Sequence, residues 1–197
     1  MSRMAAKDRR EELIEAAFRV MVRDGVAKAT TRAIVAEADM SLGVLHYCFS
    51  SREELLREAL ARFTENNVAA AQKVVLGHGD LETRIFESLN AFWEGVERSP
   101  GEHQVSYELT HYALRQAGLE DLARWQYKQY LEAHEQLLTA AEGSGIRWSV
   151  PIPILARYLN AVLDGLALSW LVDRDSERSR EVLRLTGEHL LTLVQKD

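Results

Sequence analysis

The 197-residue chain has one cysteine, three prolines and no low-complexity tract. One cysteine cannot close an internal disulfide, which fits a reducing compartment. So few prolines leave long stretches free to be helical, and a hydrophobic content of 47% supplies apolar surface for a substantial core. No apolar run reaches transmembrane length, and the basic amino end leads into an amphipathic pattern without a signal-peptide core. The expectation is a cytoplasmic protein with no membrane partner. Zinc spacings, phosphate-binding glycine loops and nucleophile elbows are missing as well, so no metal or cofactor is expected. One E-x-x-H step, Glu108 to His111, would suit a di-iron bundle, but such a site needs that step twice. A helical-bundle enzyme is therefore only an alternative.

Charge is also missing in one place. Ser41 to Ser51 carries no Asp, Glu, Lys or Arg, although 27% of the chain is charged. Around this stretch the pattern is that of short helices. Arg32 to Ala38 puts Ile34, Val35 and Ala38 on one face behind a threonine N-cap. A second helix opens at Ser41 and turns Leu45 and Phe49 inward. Only Asp39 and Met40 separate the two, which demands a steep crossing, as in a helix-turn-helix. A third helix starts at Ser50 or Ser51, with Glu53 or Glu54 completing a capping box. The outward residues of the second helix would be Leu42, Gly43, Val44, His46 and Tyr47. A solvated face normally carries Lys and Glu. This one suits a DNA groove, a docking patch for another protein, or burial in a larger bundle.

The segment from Ser41 to Leu55, SLGVLHYCFSSREEL, closely resembles the signature of TetR-family transcriptional repressors. The likeness extends upstream through Thr30, Thr31, Ile34 and Ala38 and covers about the first quarter of the chain. Three positions depart from the family pattern: Asp39 for a turn glycine, Cys48 for an aromatic and Arg52 for lysine. Aspartate tolerates a left-handed turn and arginine still binds phosphate, so the motif survives. The resemblance implies an all-α fold of about nine helices. An amino-terminal three-helix helix-turn-helix DNA-binding domain, residues 1–57, would precede a larger ligand-binding and dimerisation domain, residues 58–197. Thr31, Arg32, Ser41, Leu42, Gly43, Val44, His46, Tyr47 and Arg52 are the expected DNA-binding residues. By the same resemblance Thr31, Tyr47 and Arg52 would hold phosphates, while Leu42, Val44 and His46 would lie nearest the bases.

A net charge of −6 opposes binding to a polyanion, but it is unevenly spread. Residues 1–62 hold 11 Lys and Arg against 10 Asp and Glu, and the remainder 13 against 20. Affinity for DNA must then come from placed contacts and dimerisation rather than from a broad basic field. Arg3, Lys7, Arg9 and Arg10 form a candidate basic arm ahead of a first helix over 8–24. A long helix over 52–76 reads as the connector between halves, with a flexible joint at Gly77-His78-Gly79. Helices follow from Asp80 to Arg98, to Gln116, and from Leu119 to Glu142. The segment from Arg147 to Pro153, with two prolines, is read as a loop.

The two final helices, about 154–172 and 177–195, are rich in leucine, and the first is apolar on nearly every side. Such a helix needs partners all round, which predicts a four-helix homodimer interface built from this pair and its twofold mate. The central segments concentrate aromatic and polar side chains: Trp93, His103, Tyr107, Glu108, His111, Trp125, Asn160, Asp164 and Trp170, with Tyr112 and His134 beside them. Mostly apolar walls with a few polar groups suit a small organic effector. The expected partners are thus double-stranded DNA at a pseudo-palindromic operator, a small-molecule effector and a second copy of the chain.

Overall fold

Every expected helix is present in the computed structural model, which describes residues 6–75, 80–116, 119–142 and 146–195, the side chains of 67–75 excepted. Its elements are α1 (Ala6–Asp24), the 3-10 turn η1 (Val26–Lys28), α2 (Thr31–Glu37), α3 (Leu42–Cys48) and α4 (Arg52–Val75), then α5 (Leu81–Arg98), α6 (Pro100–Arg115), α7 (Glu120–Glu142), α8 (Ile152–Asp173) and α9 (Ser176–Thr192). Arg3, the Gly77–Gly79 joint, Gly118 and Gly143 to Gly145 lie outside the described residues.

Two compact units share these helices. One comprises residues 1–64 and 101–126, the other 65–100 and 127–197. The expected boundary at residue 57 therefore does not coincide with a packing boundary. Helix α6, over 40 residues downstream, belongs with the amino-terminal helices because its buried Val105, Leu109 and Ala113 complete their core. Helices α4 and α7 each contribute residues to both units.

In the first unit Leu13, Ala17, Val20 and Met21 of α1 meet Ile34 of α2, Leu45 of α3, Phe49, and Leu55, Leu56 and Leu60 of α4. The caps match the chemistry of the sequence. Thr30 caps α2, its hydroxyl accepting from Ala33 N at 3.2 Å. Asp39 has φ +50°, so aspartate does take the left-handed position between α2 and α3. The Ser51 hydroxyl accepts from Glu54 N at 3.0 Å, while the Glu54 carboxylate reaches back to Ser50 N at 2.7 Å. The capping box is thus shared between two serines. Arg10 is not part of a free arm. Its guanidinium pairs with Glu54 and Glu58, donates to the Cys48 carbonyl and lies 4.2 Å from the Phe49 ring centroid.

In the second unit Trp93 and Trp170 meet edge to face at 5.7 Å within a core of Leu89, Val96, Leu163 and Leu183. A second core gathers Leu138, Trp148, Leu155, Leu159 and Leu190. The segment before α8 is shorter than expected. Helix α8 begins at Ile152 with Pro153 inside its first turn, where the missing N–H costs nothing. Trp148 pairs with Val194 in an isolated antiparallel bridge, and Ser149 N donates to Leu193 O at 2.8 Å. Residues read as the tail of α9 therefore leave the helix to make this pairing. Contrary to the sequence expectation, α8 is long and apolar enough to span a membrane by length and composition, with a third of that window buried here.

Candidate nucleic-acid interface and ligand cavity

Helix α3 is seven residues long and buries only Leu45, with Phe49 just beyond it fixing its carboxyl end. That anchoring decides what points outward. Ser41, Leu42, Gly43, His46 and Tyr47 are exposed, Tyr47 at 75%, and Val44 is half-buried against the core. The Ser41 hydroxyl makes no capping bond. A methyl built at Gly43 would meet nothing closer than Ser41 Oγ at 3.8 Å. The fold itself does not require glycine there; the close approach of an outside backbone would. At the start of α2, Arg32 is exposed and Thr31 half-buried.

Arg52 differs from its expected role. Its Nε donates to Ala29 O at 2.8 Å, one terminal nitrogen to Val26 O at 2.9 Å, and the other to the Tyr112 hydroxyl at 3.2 Å. The guanidinium also lies 5.6 Å from the Tyr112 ring centroid. The fork that would have clasped a phosphate is turned inward onto η1 and α6. The rule linking an arginine at a helix start to phosphate could not reveal this, because Tyr112 lies 60 residues away.

The expected effector residues are divided between the two units. His103, Tyr107, Glu108, His111 and Trp125 belong to the first unit, and Trp93, Asn160, Asp164 and Trp170 to the second. His103 stands edge-on to Phe63 at 5.9 Å, His111 is exposed, Tyr107 is half-buried, and Trp125 packs on the first core. Glu108 accepts from Val26 N at 2.9 Å. Trp93 is wholly buried, and the Trp170 indole donates to Ser176 Oγ at 3.0 Å. Asp164 accepts from the Tyr127 hydroxyl at 2.8 Å and lies near Asn160 Nδ2 at 3.5 Å. Burial and the Asp164 carboxylate push the Tyr127 phenol above its usual range.

A cavity of about 110 Å³ opens in the second unit instead. Leu81, Ile85, Leu89 and Phe92 of α5 form one wall, and Leu137, Leu138 and Ala141 of α7 another. Trp148, Leu159, Leu163 and Leu190 complete it, and Arg84, Ser88 and His134 are its polar groups. Of the residues marked in the sequence only His134 lies here. The α5 stripe was legible as an inward face, but periodicity cannot say whether such a face meets a neighbour or a void. Arg84, Ser88 and Trp148 carried no local signal.

Burial pushes both His103 and His134 down to about 4, so both are neutral at pH 7 in the folded chain. The unfolded chain takes up those protons near pH 6.5. Stability is therefore fully present above that value and falls as the pH drops from 6.5 towards 4. Thermal unfolding followed across this window will show the decline, and His134→Leu will make it shallower.

Comparison with known proteins agrees with this geometry. Residues 13–59 match the model for bacterial regulatory proteins of the tetR family, and residues 82–195 match the carboxy-terminal domain of BetI-type transcriptional repressors. The chain is 31% identical to the nicotine-responsive transcriptional repressor HdnoR of Paenarthrobacter nicotinovorans over 180 residues, 91% of this chain and 92% of that one. It is 30% identical to the multidrug binding protein EbrR, solved in complex with imidazole, with a TM-score of 0.68 and 96% of both chains covered. A TetR regulator from Haloarcula marismortui shares the fold, with a TM-score of 0.81 at 20% identity over 96% of this chain and all of that one. Proteins of this kind regulate transcription and are not enzymes. With an exposed, uncharged α3 held by the helices behind it, and with matches over both parts of its length, the chain belongs to the TetR family of transcriptional regulators and carries its helix-turn-helix DNA-binding domain near the amino end.

Proposed function

We propose that the chain is a cytoplasmic, homodimeric repressor whose hold on a pseudo-palindromic operator is released by a small organic effector. The outward face of α3 and its cap carries this reading: five exposed residues without a charge, on a helix whose one fully buried residue is Leu45. Leu42, Val44 and His46 offer methyls and an imidazole to base edges, and Tyr47, Thr31 and Arg32 offer donors to phosphates. Two such helices, one from each subunit, would enter successive major grooves about 34–36 Å apart. Selection of bound sequences from random duplex DNA tests this. Half-sites spaced by about one helical turn support the reading; a pool without enrichment overturns it. On a selected duplex, Tyr47→Ala weakens binding across all sequences, whereas Val44→Ala changes which bases are preferred. Gel-shift affinities unmoved by the first, or identical selections with the second, contradict those roles.

The effector reading places the ligand in the cavity of the second unit. An engineered apolar cavity of roughly 150 Å³ holds one benzene, so about 110 Å³ fits one small ring with little to spare. His134, held neutral, can donate to or accept from a ring nitrogen. HdnoR is named for its response to nicotine and EbrR was solved with imidazole, so single nitrogen heterocycles are the first probes. Imidazole and pyridine should perturb the intrinsic fluorescence to which Trp148 contributes from the cavity wall. His134→Ala should weaken that response about tenfold, the scale of one buried hydrogen bond. A response equal in the variant removes His134 from the site. Release of DNA then requires only that ligand and operator favour different separations of the two α3 helices. Residues 1–57 would supply the reading and the remainder the response.

A further inference from the structure

The turn η1 is three residues long and stands between α1 and Thr30, the cap of α2. A turn so short cannot satisfy its own ends, and Gly25 at its start offers no capping side chain. Beyond its own bonds from Lys28 N to Gly25 O and from Ala29 N to Val26 O, both at 3.2 Å, two side chains of opposite charge hold it. Glu108 accepts from Val26 N at 2.9 Å, and Arg52 donates to Val26 O at 2.9 Å and to Ala29 O at 2.8 Å. Both are bound to α6: Glu108 belongs to it, and Arg52 reaches its Tyr112. Gly101, Val105, Glu108 and Tyr112 recur every three or four residues and so form one stripe of α6. At the head of that stripe a methyl on Gly101 would come within 2.8 Å of Val22 on α1. Helix α6 thus lies close against the end of α1 and grips the turn that follows.

We infer that Arg52 and Glu108 are positioning residues for DNA reading, a two-ended clamp on η1 that fixes where α2, and through it α3, stands relative to α6. The inference rests on the DNA-binding reading, and it reverses two simpler expectations. An acidic side chain near DNA should repel it, so a purely electrostatic view has Glu108→Ala binding more tightly; the clamp has it binding more weakly. An arginine that touches phosphate lowers the dependence of binding on salt when removed, by about one unit of log–log slope; a clamp residue leaves that slope unchanged.

The test uses the full chain and a duplex selected by it from a random pool. Glu108→Ala should lose about tenfold in affinity, the scale of one hydrogen bond to a charged group. Glu108→Gln, which keeps an acceptor, should recover most of it. Arg52→Met, which removes both the charge and the planar fork, should weaken binding with the salt slope intact. Without DNA, exchange of the Val26 amide should quicken in Glu108→Ala while amides in the α1 core stay protected. Binding by Glu108→Ala as tight as or tighter than the parent's overturns the clamp. So does a salt slope lowered by about one in Arg52→Met, or a Val26 amide that exchanges unchanged. A pool without enriched duplexes is a separate failure, of the DNA reading, and leaves the clamp nothing to position.

Discussion

Leu168→Asp combined with Leu185→Asp should leave the chain folded but solitary, and should lower its affinity for a selected duplex by about three orders of magnitude. The side chains concerned are already outside the core, at 48% and 51% exposure, so removing them opens no cavity. They belong to faces that a lone chain leaves bare. On α8, Ile154, Ala161, Gly165, Leu168 and Val172 are all exposed and fall on one helical stripe; on α9, Val182 and Leu185 are exposed one turn apart. Val172 is 82% exposed in the last turn of α8, and Arg157 is the charged residue on the same stripe. Apolar area of this kind gains about 25 cal/mol per Å² when covered, and in the proposed dimer a second copy would cover it symmetrically. Two aspartates facing their twofold mates replace that gain with desolvated like charges. Linked binding of two half-sites typically exceeds single binding by about 10²–10⁴, which sets the expected loss. Sedimentation and gel shift on the same preparation decide it; a variant that stays dimeric contradicts the proposed interface.

Gly187→Val should destabilise the second unit by about 3 kcal/mol or more, at the upper end for overpacking. Glycine within a helix usually costs about 1 kcal/mol relative to alanine, so a substitution that ignored packing would stabilise α9. Packing wins here. A Cβ at Gly187 would lie 2.6 Å from one carbon of the Phe86 ring and 3.0 Å from two others. Phe86 is a rigid ring on α5, and the contact brings α5 and α9 close together, so the helices must part or the ring must turn. For a chain of this size each kcal/mol lowers the thermal midpoint by about 2–4 °C, so a fall near ten degrees is expected. Gly187→Val with Phe86→Ala should recover part of it, because the second change vacates the space the first needs. No recovery in the double variant would place the cost in the backbone of α9 instead.

What could be read from the chain alone follows from where the information sits. The helices were legible because periodicity and caps are local: Thr30, Ser51 with Glu54, and Asp39 each perform in the structure the task their chemistry suits. The outward face of α3 was legible because Leu45 and Phe49 anchor it and nothing charged interrupts it. Long-range choices were not legible. Arg52 looked like a phosphate ligand until Tyr112 and two carbonyls of η1 took its donors. Glu108 looked like a ligand-site carboxylate until Val26 N claimed it, 82 residues away. Trp93 and Trp170 pack on each other, and the cavity of the second unit is lined mostly by leucines. Pro153 was read as a breaker, although a first turn has no N–H to lose.

The bare surface of α3 has a consequence on a whole chromosome. Most proteins that search a genome are slowed by ionic attraction to every stretch they pass, because lysines and arginines cannot tell one sequence from another. A recognition helix without cations would leave less of that indiscriminate grip. Occupancy of an operator would then depend more on matching bases than on crowding by competing sites. A modest copy number could suffice to keep such a site filled, and a small loss of fit would empty it.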